Sequence, residues 1–299
     1  MVGSCVKRAP VLIAAVPLLV AACGHEPAGR AAIADDEFVA SCIGLDERSD
    51  EPAALCVVDV GNGVTATLRP GIEPGIAPAL SPDRRSIAVV DDGRIVVLTA
   101  DGTERTSIEL AAESVAWLDD GDTLVVHRLR TDGASIVEQH SVGSGTDPAV
   151  LLSSDEVGGE VEEGIAVSPE SQRLAVAVHD GEQWKLIVAD LVSGEQRTVL
   201  SSSEAVYAPA WSPDGGHLAV VAGAEIRTVD LATGTERLLA TAPEPLTTPT
   251  WSPSGDRLLF VDARGAVVLT PITGGTQSVV VDLTRDREAG PFPAFPTWS

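Results

Sequence analysis

One phrase recurs along this chain, and it limits the folds that the chain can adopt. The phrase is an apolar run, a tight turn that is usually Ser-Pro, and a second apolar run. Its anchor residues are Leu80, Trp117, Val167, Trp211, Trp251 and Trp298. Their average spacing of about 44 residues is the repeat length of a four-stranded propeller blade. The recurrence therefore predicts a repeated all-β architecture.

The turn in each repeat carries the residues that a tight reversal needs. In the Ser-Pro-Asp-Gly turn at 212–215, proline presets φ, aspartate can bond the backbone, and glycine accepts a positive φ. Later in several repeats, two further β-rich runs flank a Gly-containing turn, as they do at Gly194 and at Gly234. A β-sandwich is the rival fold, but it does not explain a tryptophan that returns at a regular interval. Each repeat is therefore expected to form four strands.

The two ends of the chain indicate how the repeats close into a ring. Strand-like sequences at 38–44, 55–60 and 64–69 precede the first full repeat, and the last anchor, Trp298, has no strands after it. One C-terminal strand and three N-terminal strands would complete a sixth blade and remove the open sheet edges. We predict a six-bladed β-propeller of four-stranded blades over residues 37–299.

The phrase Trp-Ser-Pro-Asp-Gly at 211–215, followed by an apolar strand, resembles the repeat of TolB-type (PD40-like) β-propellers. The resemblance covers residues 37–299 and implies the propeller fold, with a bacterial envelope assembly as its setting by analogy. Two features depart from that family. The α/β domain that precedes the propeller in TolB does not fit before the first strands. The second repeat has Leu118-Asp119-Asp120 in place of the Ser-Pro turn.

The first residues of the chain predict export and a lipid anchor. Lys7 and Arg8 precede an apolar run at 11–22, which suits a signal peptide and is too short to span a bilayer. The run ends in Val-Ala-Ala-Cys, which resembles the bacterial lipobox and implies acylation of Cys23. The alternative is an ordinary signal peptide with a chance cysteine after its cleavage site. We expect a signal peptide at 1–22, a flexible tether at 23–36, and an extracytoplasmic protein anchored to a bacterial membrane.

Two further cysteines fall within the predicted sixth blade. Cys42 and Cys56 lie 14 residues apart, and an exported protein meets an oxidising compartment. The sequence predicts a disulfide between Cys42 and Cys56 that pins the junction of the two chain ends. Two free buried thiols are the alternative.

Charge and motifs exclude several classes of function. The 44 acidic and 20 basic residues give a formal net charge of -24, which disfavours nucleic acid and purely electrostatic docking on anionic lipid. The chain has no Gly-x-Ser-x-Gly elbow and no phosphate-binding glycine loop, and its five histidines lack metal-ligand spacing. No catalytic residue, metal or cofactor is therefore assigned.

The acidic residues concentrate in loops that a propeller places at one end. The longest such loop is the most acidic, and the predicted partner-binding face comprises Asp155, Glu156, Glu160, Glu162, Glu163, Asp180 and Trp184. Such a face attracts a basic protein segment or cations, although an acidic surface also serves solubility alone. The repeated tryptophans are expected to be wedges between blades. Trp184 lies outside the repeat slot and is a candidate ligand contact.

Three functions from different classes fit these observations. The predicted function is a membrane-anchored, non-catalytic scaffold that binds a protein partner within the envelope. A sensor for a small ligand such as a glycan is the second. A propeller-type enzyme, namely a lyase, hydrolase or dehydrogenase, is the third, and it would need inward-facing His, Arg or Tyr side chains at the channel mouth.

Overall fold

The computed structural model describes residues 30–42, 53–61, 63–72, 77–143, 147–241, 247–261, 266–282 and 296–298. Six four-stranded antiparallel sheets form the blades of a propeller. The blade at the chain ends, blade 6, contains β1 (Glu37–Cys42), β2 (Ala53–Asp59) and β3 (Gly63–Ile72). Blade 1 contains β4 (Ala79–Leu80), β5 (Ser86–Asp91), β6 (Arg94–Thr99) and β7 (Glu104–Ile108). Blade 2 contains β8 (Ser114–Trp117), β9 (Thr123–Leu129), β10 (Ser135–Ser141) and β11 (Ala149–Ser153).

The remaining blades follow the same order, after a short helix α1 (Ser154–Val157). Blade 3 contains β12 (Glu160–Val167), β13 (Arg173–His179), β14 (Trp184–Asp190) and β15 (Gln196–Ser202). Blade 4 contains β16 (Val206–Trp211), β17 (His217–Ala222), β18 (Glu225–Asp230) and β19 (Glu236–Thr241). Blade 5 contains β20 (Thr247–Trp251), β21 (Arg257–Val261), β22 (Ala266–Pro271) and β23 (Ser278–Asp282), and the last strand is β24 (Pro296–Thr297).

The predicted ring closure is confirmed. Strand β24 pairs with β1, so blade 6 has the order β24-β1-β2-β3, with one C-terminal and three N-terminal strands. The first strands of successive blades contact one another from β4 through β8, β12, β16 and β20 to β24. They are therefore the innermost strands and surround the axis of the propeller.

The turn after each innermost strand is built by side chains that bond their own backbone. The Oγ of Ser212 accepts a hydrogen bond from the backbone N–H of His217 at 2.9 Å, and Asp214 Oδ1 accepts one from Gly216 N–H at 2.9 Å. Serines at the same place in blades 1, 3 and 5 do the same. In blade 2, where Leu118 replaces serine, Asp120 accepts the N–H of Thr123 at 2.8 Å. The second repeat therefore forms the same turn, although it lacks the Ser-Pro pair.

Six apolar clusters fill the spaces between the blades, one at each interface. The repeated tryptophans lie in these interfaces and are 1 to 6% exposed. Three of their indole N–H groups donate to an innermost strand of the preceding blade: Trp117 to Ala79 O, Trp211 to Ala166 O and Trp251 to Ala210 O, at 3.0 to 3.1 Å. The tryptophans are therefore wedges between blades, as the repeat slot predicts.

The predicted disulfide between Cys42 and Cys56 is not found in the described structure. The pairing of β1 with β2 sets Cys42 opposite Ala54 and Cys56 opposite Ala40, and Cys56 is a buried free thiol. The two cysteines are thus a diagonal pair, for which separations of about 7 to 8 Å are usual. A disulfide can join two cysteines without backbone movement only when their Cα atoms are less than about 7 Å apart, so this pair is too far apart. Sequence spacing placed both cysteines in one blade but could not give their register.

Candidate functional site

The two ends of the propeller differ in how their loops are built. We call the end formed by the loops after second and fourth strands the upper rim, and the end formed by the turns after first and third strands the lower rim. The upper rim carries α1 and the loop between β13 and β14. The candidate site is the part of this rim around blade 3, because the predicted face residues lie there.

The connection from blade 2 to blade 3 supplies most of the acidic groups. Asp155 and Glu156 lie in α1 and are exposed, and the Oγ of Ser153 donates to Glu156 at 2.7 Å. The chain leaves α1 through Gly158, whose φ of +70° is the left-handed conformation that glycine favours. Glu160, at the start of β12, is exposed and accepts a hydrogen bond from Ser135 Oγ of blade 2 at 3.2 Å. These carboxylates are thus held on one ridge.

The hairpin between β13 and β14 brings Asp180 to the same ridge. A Cβ on Gly159 would lie 2.6 Å from His179 O and 3.0 Å from Asp180 Cα, so the backbone after α1 packs directly on this hairpin. Asp180 pairs with Lys185 at 2.5 Å and accepts the N–H groups of Glu182 and Gln183. The Lys185 ammonium and these backbone N–H groups hold the pKa of Asp180 well below its usual range. Its negative charge is therefore fixed at ordinary pH.

Trp184 is half-buried and packs on the apolar cluster between blades 3 and 4. Its indole also stacks on the imidazole of His179, with centroids 4.6 Å apart and planes 28° from parallel. Two of its surfaces are thus used by the protein itself. The structure gives Trp184 a packing role that its place outside the repeat slot did not predict.

The remaining predicted site residues have mixed outcomes. Glu162 is half-buried in an irregular part of β12, where the pairing with β13 shifts register between Val161 and Ile165. The side chain of Glu163 and all of Cys23 lie outside the described residues, and so does the side chain of Cys42. The structure therefore brings together Asp155, Glu156, Glu160 and Asp180.

The innermost strands are irregular beside this rim and carry small residues. Register shifts recur in β12, β16 and β20, and the residue at the same repeat position is Ala77, Ser114, Gly164, Ala208 or Thr248. Gly164 has a φ of +89°, and a Cβ there would lie 2.9 Å from Ala208 Cα. The innermost strands of blades 3 and 4 are therefore in backbone contact at this level.

Three polar side chains near the upper-rim end of the innermost strands lack hydrogen-bond partners among the described residues. They are Ser114, Thr248 and His127, the last through both ring nitrogens. His127 is 2% exposed and lies opposite Ser114 across β8 and β9, on the side that faces blade 3. Burial lowers the pKa of His127 to about 4. The imidazole is therefore neutral at ordinary pH.

A set of aligned Arg and His side chains on the lower rim was not predicted from the sequence. The first residue after the Ser-Pro turn is Arg173, His217 or Arg257 in blades 3, 4 and 5, and each lies over the tryptophan of the next blade. The Cζ atom of Arg173 is 4.6 Å from the ring centroid of Trp211. The signal was present, because these residues align in the repeat. The sequence pattern indicated these three residues only as the first residues of strands, so their shared position did not predict a contact with tryptophan.

In the described ranges, no group of three or more His, Cys, Asp or Glu residues could hold a metal ion. No helix there combines the length and apolarity that crossing a bilayer requires.

The ring of blades defines the class of protein as a six-bladed β-propeller. No protein-family profile matches the chain. A segment of 57 residues is 37% identical to the Tol-Pal system protein TolB of Chromobacterium violaceum, covering 19% of this chain and 13% of that protein. A segment of 46 residues is 46% identical to the same protein of Nitrosococcus oceani, covering 15% and 11%. The matches thus span a small fraction of the length of these relatives.

Solved structures extend the likeness over most of the chain. The crystal structure of TolB from Acinetobacter baumannii superposes with a TM-score of 0.70 at 17% identity, covering 88% of this chain and 66% of that one. A chain of a nidogen/laminin complex gives a TM-score of 0.63 at 14% identity, covering 79% and 90%. An oligogalacturonate lyase in complex with manganese gives 0.51 at 16% identity, covering 76% and 70%. The sequence matches and these structures show that the chain is similar to TolB-type β-propellers.

Proposed function

We propose that this chain is an extracytoplasmic, lipid-anchored and non-catalytic propeller that binds a protein partner through the acidic upper rim of blade 3. The observation that carries the proposal is the ridge of Asp155, Glu156, Glu160 and Asp180, held by α1, β12 and one hairpin. Fixed negative charge on a rigid surface steers a basic partner and speeds association. The local likeness to Tol-Pal system proteins supports an envelope setting.

The path of the N-terminal segment supports an orientation for this scaffold. The N–H of Ile33 donates to Arg84 O at 2.8 Å, and Arg84 lies in the turn between β4 and β5 on the lower rim. An acylated Cys23 would precede Ile33 by 10 residues, which span at most about 35 Å when extended. The lower rim would then face the membrane. The acidic upper rim would face away from it, so a partner could reach that rim without touching the lipid surface.

Site-specific photo-crosslinking in cells tests which rim meets the partner. Glu182 and Val192 are both exposed and flank the two ends of β14, the first on the upper rim and the second on the lower rim. A photoreactive residue at Glu182 is expected to give a discrete crosslinked protein, and the same residue at Val192 is expected to give none of that size. Crosslinking from Val192 alone would contradict the proposed face.

The lipid anchor has a separate test. Cys23→Ser is expected to move the protein from the membrane fraction to the soluble extracytoplasmic fraction, because the acyl chains supply the membrane affinity. The matched control is Cys56→Ser, which changes a buried thiol and should leave the protein with the membranes. Membrane retention of the Cys23 variant would contradict the anchor.

A further inference from the structure

The interfaces between blades 3 and 4 and between blades 4 and 5 are built alike on the lower rim, but the arginine and glutamate of the first are replaced by shorter side chains in the second. In the first interface, the guanidinium of Arg173 lies over Trp211, donates to the Glu170 carboxylate and donates to Gly215 O at 3.1 Å. In the second interface, the corresponding groups are Trp251, Asp214 and Gly255. The residue that corresponds to Arg173 is His217.

The outer parts of the two interfaces are alike, so the difference lies at the turn that carries residues 173 and 217. Arg197 in β15 donates to Leu231 O of the next blade at 3.0 Å. Arg237, at the same position in β19, donates to Ile272 O of its next blade at 3.2 Å. The contacts that surround residue 217 therefore match those that surround residue 173, but residue 217 has the shorter side chain.

The shorter side chain leaves space beside the turn of the following blade. A Cβ on Gly215 would meet Glu170 Oε2 at 2.9 Å and Arg173 Nη2 at 3.1 Å, because those side chains cover that turn. A Cβ on Gly255 would meet only Pro213, at 3.5 Å. A cavity of about 330 Å³ lies here, and its lining includes Ser212, Asp214, His217, Trp251, Gly255 and Ile272. His217 and Asp214 therefore do not fill the place that Arg173 and Glu170 occupy one blade earlier.

The groups around this cavity suit a cation with planar donors. The carboxylate of Asp214 is largely exposed, and His217 lies between Asp214, at 4.0 Å, and Asp230, at 3.8 Å. Trp251 also lines the cavity, although it is only 1% exposed, and its ring centroid lies 6.4 Å from that of the tilted His217 ring. A guanidinium matches a carboxylate, a carbonyl and an aromatic edge through its flat fork of N–H groups, which an ammonium cannot do.

We propose that this cavity is a binding site for an arginine side chain supplied by a partner protein. The guanidinium takes the place that Arg173 fills within the chain one blade earlier. It bonds the Asp214 carboxylate and the Gly255 carbonyl beside the edge of Trp251. The site lies on the lower rim, opposite the acidic ridge. The proposed function supports only the expectation that the chain binds proteins, and this arginine would make a second contact, separate from the one at the acidic upper rim. The cavity and its chemistry do not depend on that function.

The test titrates N-acetyl-arginine methylamide into the full chain in detergent and measures saturable binding by NMR. The wild-type protein is expected to show one site. His217→Arg places the chain's own guanidinium in the cavity, so it is expected to weaken binding at least tenfold while leaving the melting temperature equal or higher. The neutral isostere N-acetyl-citrulline methylamide is expected to bind at least tenfold more weakly than the arginine probe.

A gain-of-site variant makes the test independent of any loss of folding. Arg173→His opens the equivalent space beside Gly215 and is expected to add a second site for the same probe. A single site in that variant, unchanged binding by His217→Arg, equal binding of the citrulline probe, or no saturable binding by the wild type would each overturn the inference. The titration uses no partner protein, so a negative titration would overturn the arginine site only. The proposed function would still be tested separately, by crosslinking at the upper rim.

Discussion

The guanidinium of Arg84 donates a hydrogen bond to the backbone carbonyl of Trp298, which joins the turn of blade 1 to the last strand of the ring. The same side chain donates to Ile33 O at 2.9 Å and to the carbonyls of Ala34 and Glu37, each at 2.6 Å. One arginine thus holds the N-terminal segment, the C-terminal strand and the first full blade together. The ring is therefore closed by polar contacts as well as by strand pairing.

Removal of this arginine is expected to destabilise the ring. Arg84→Ala leaves four backbone carbonyls without their charged donor, which we expect to cost about 3 kcal/mol of unfolding free energy. Urea denaturation of both proteins measures the difference. Arg85→Ala changes the exposed neighbouring arginine and should cost less than about 0.5 kcal/mol. Equal losses in the two variants would show that Arg84 does not hold the ring closed.

Close backbone contact between blades 3 and 4 makes a second stability prediction. Gly164→Ala adds a Cβ at 2.9 Å from Ala208 Cα and imposes a positive φ on alanine, which we expect to cost about 3 kcal/mol. Gly234 has a φ of +71° with nothing within 4 Å of its Cβ position, so Gly234→Ala should cost only about 1 kcal/mol. Thermal unfolding compares the two. A Gly164 variant as stable as the Gly234 variant would be evidence against the contact.

The buried His127 predicts how stability depends on pH. Its pKa is lowered by burial from 6.5 to about 4, so the unfolded chain binds a proton more readily than the folded chain between these values. The free energy of unfolding should therefore fall as pH decreases from about 6.5 to about 4, by about 3 kcal/mol. His127→Leu should remove that fall, because leucine does not titrate and leaves no unpaired ring nitrogen.

Carboxylates make a separate contribution at lower pH, and the His127 variant should retain it. Backbone and side-chain hydrogen bonds lower the pKa of Asp190, Asp230 and Asp256 from 3.8. The stability that they supply is present above pH 3.8 and is lost as pH falls further. Urea denaturation at pH 7, 4 and 3 separates the two windows. An unchanged fall between pH 7 and 4 in His127→Leu would exclude His127 as its source.

The fold was predictable because its main signal is local and repeated. The Ser-Pro turns, the tryptophan slot and the interval of about 44 residues indicated the blades, and the extra strands at the N-terminus indicated how the ring closes. The strands predicted at 38–44, 55–60 and 64–69 correspond to β1, β2 and β3. Propeller interfaces repeat with the sequence, so the wedge role of the tryptophans followed from the same alignment.

The errors concern contacts that a pattern does not encode. The absence of the Cys42–Cys56 disulfide from the structure could not be foreseen, because the register of a hairpin is not given by the number of residues between its cysteines. The role of Arg84 could not be foreseen, because it depends on a backbone φ of +60° and on partners at both ends of the chain. The packing of Trp184 likewise depends on a neighbour, His179, that only pairing brings beside it.

The most direct test of the proposed function is a pull-down from membranes with three baits that share the lipid anchor. One is the wild type, and one has Asp155, Glu156, Glu160, Glu162 and Glu163 changed to amides. The third has five exposed acids of the lower rim changed in the same way: Asp119, Asp122, Asp147, Glu195 and Glu236. We predict a protein partner that is recovered with the wild type and the lower-rim variant, and is lost with the upper-rim variant. Equal recovery by all three baits, or no partner with any of them, would contradict a scaffold that binds through its acidic upper rim.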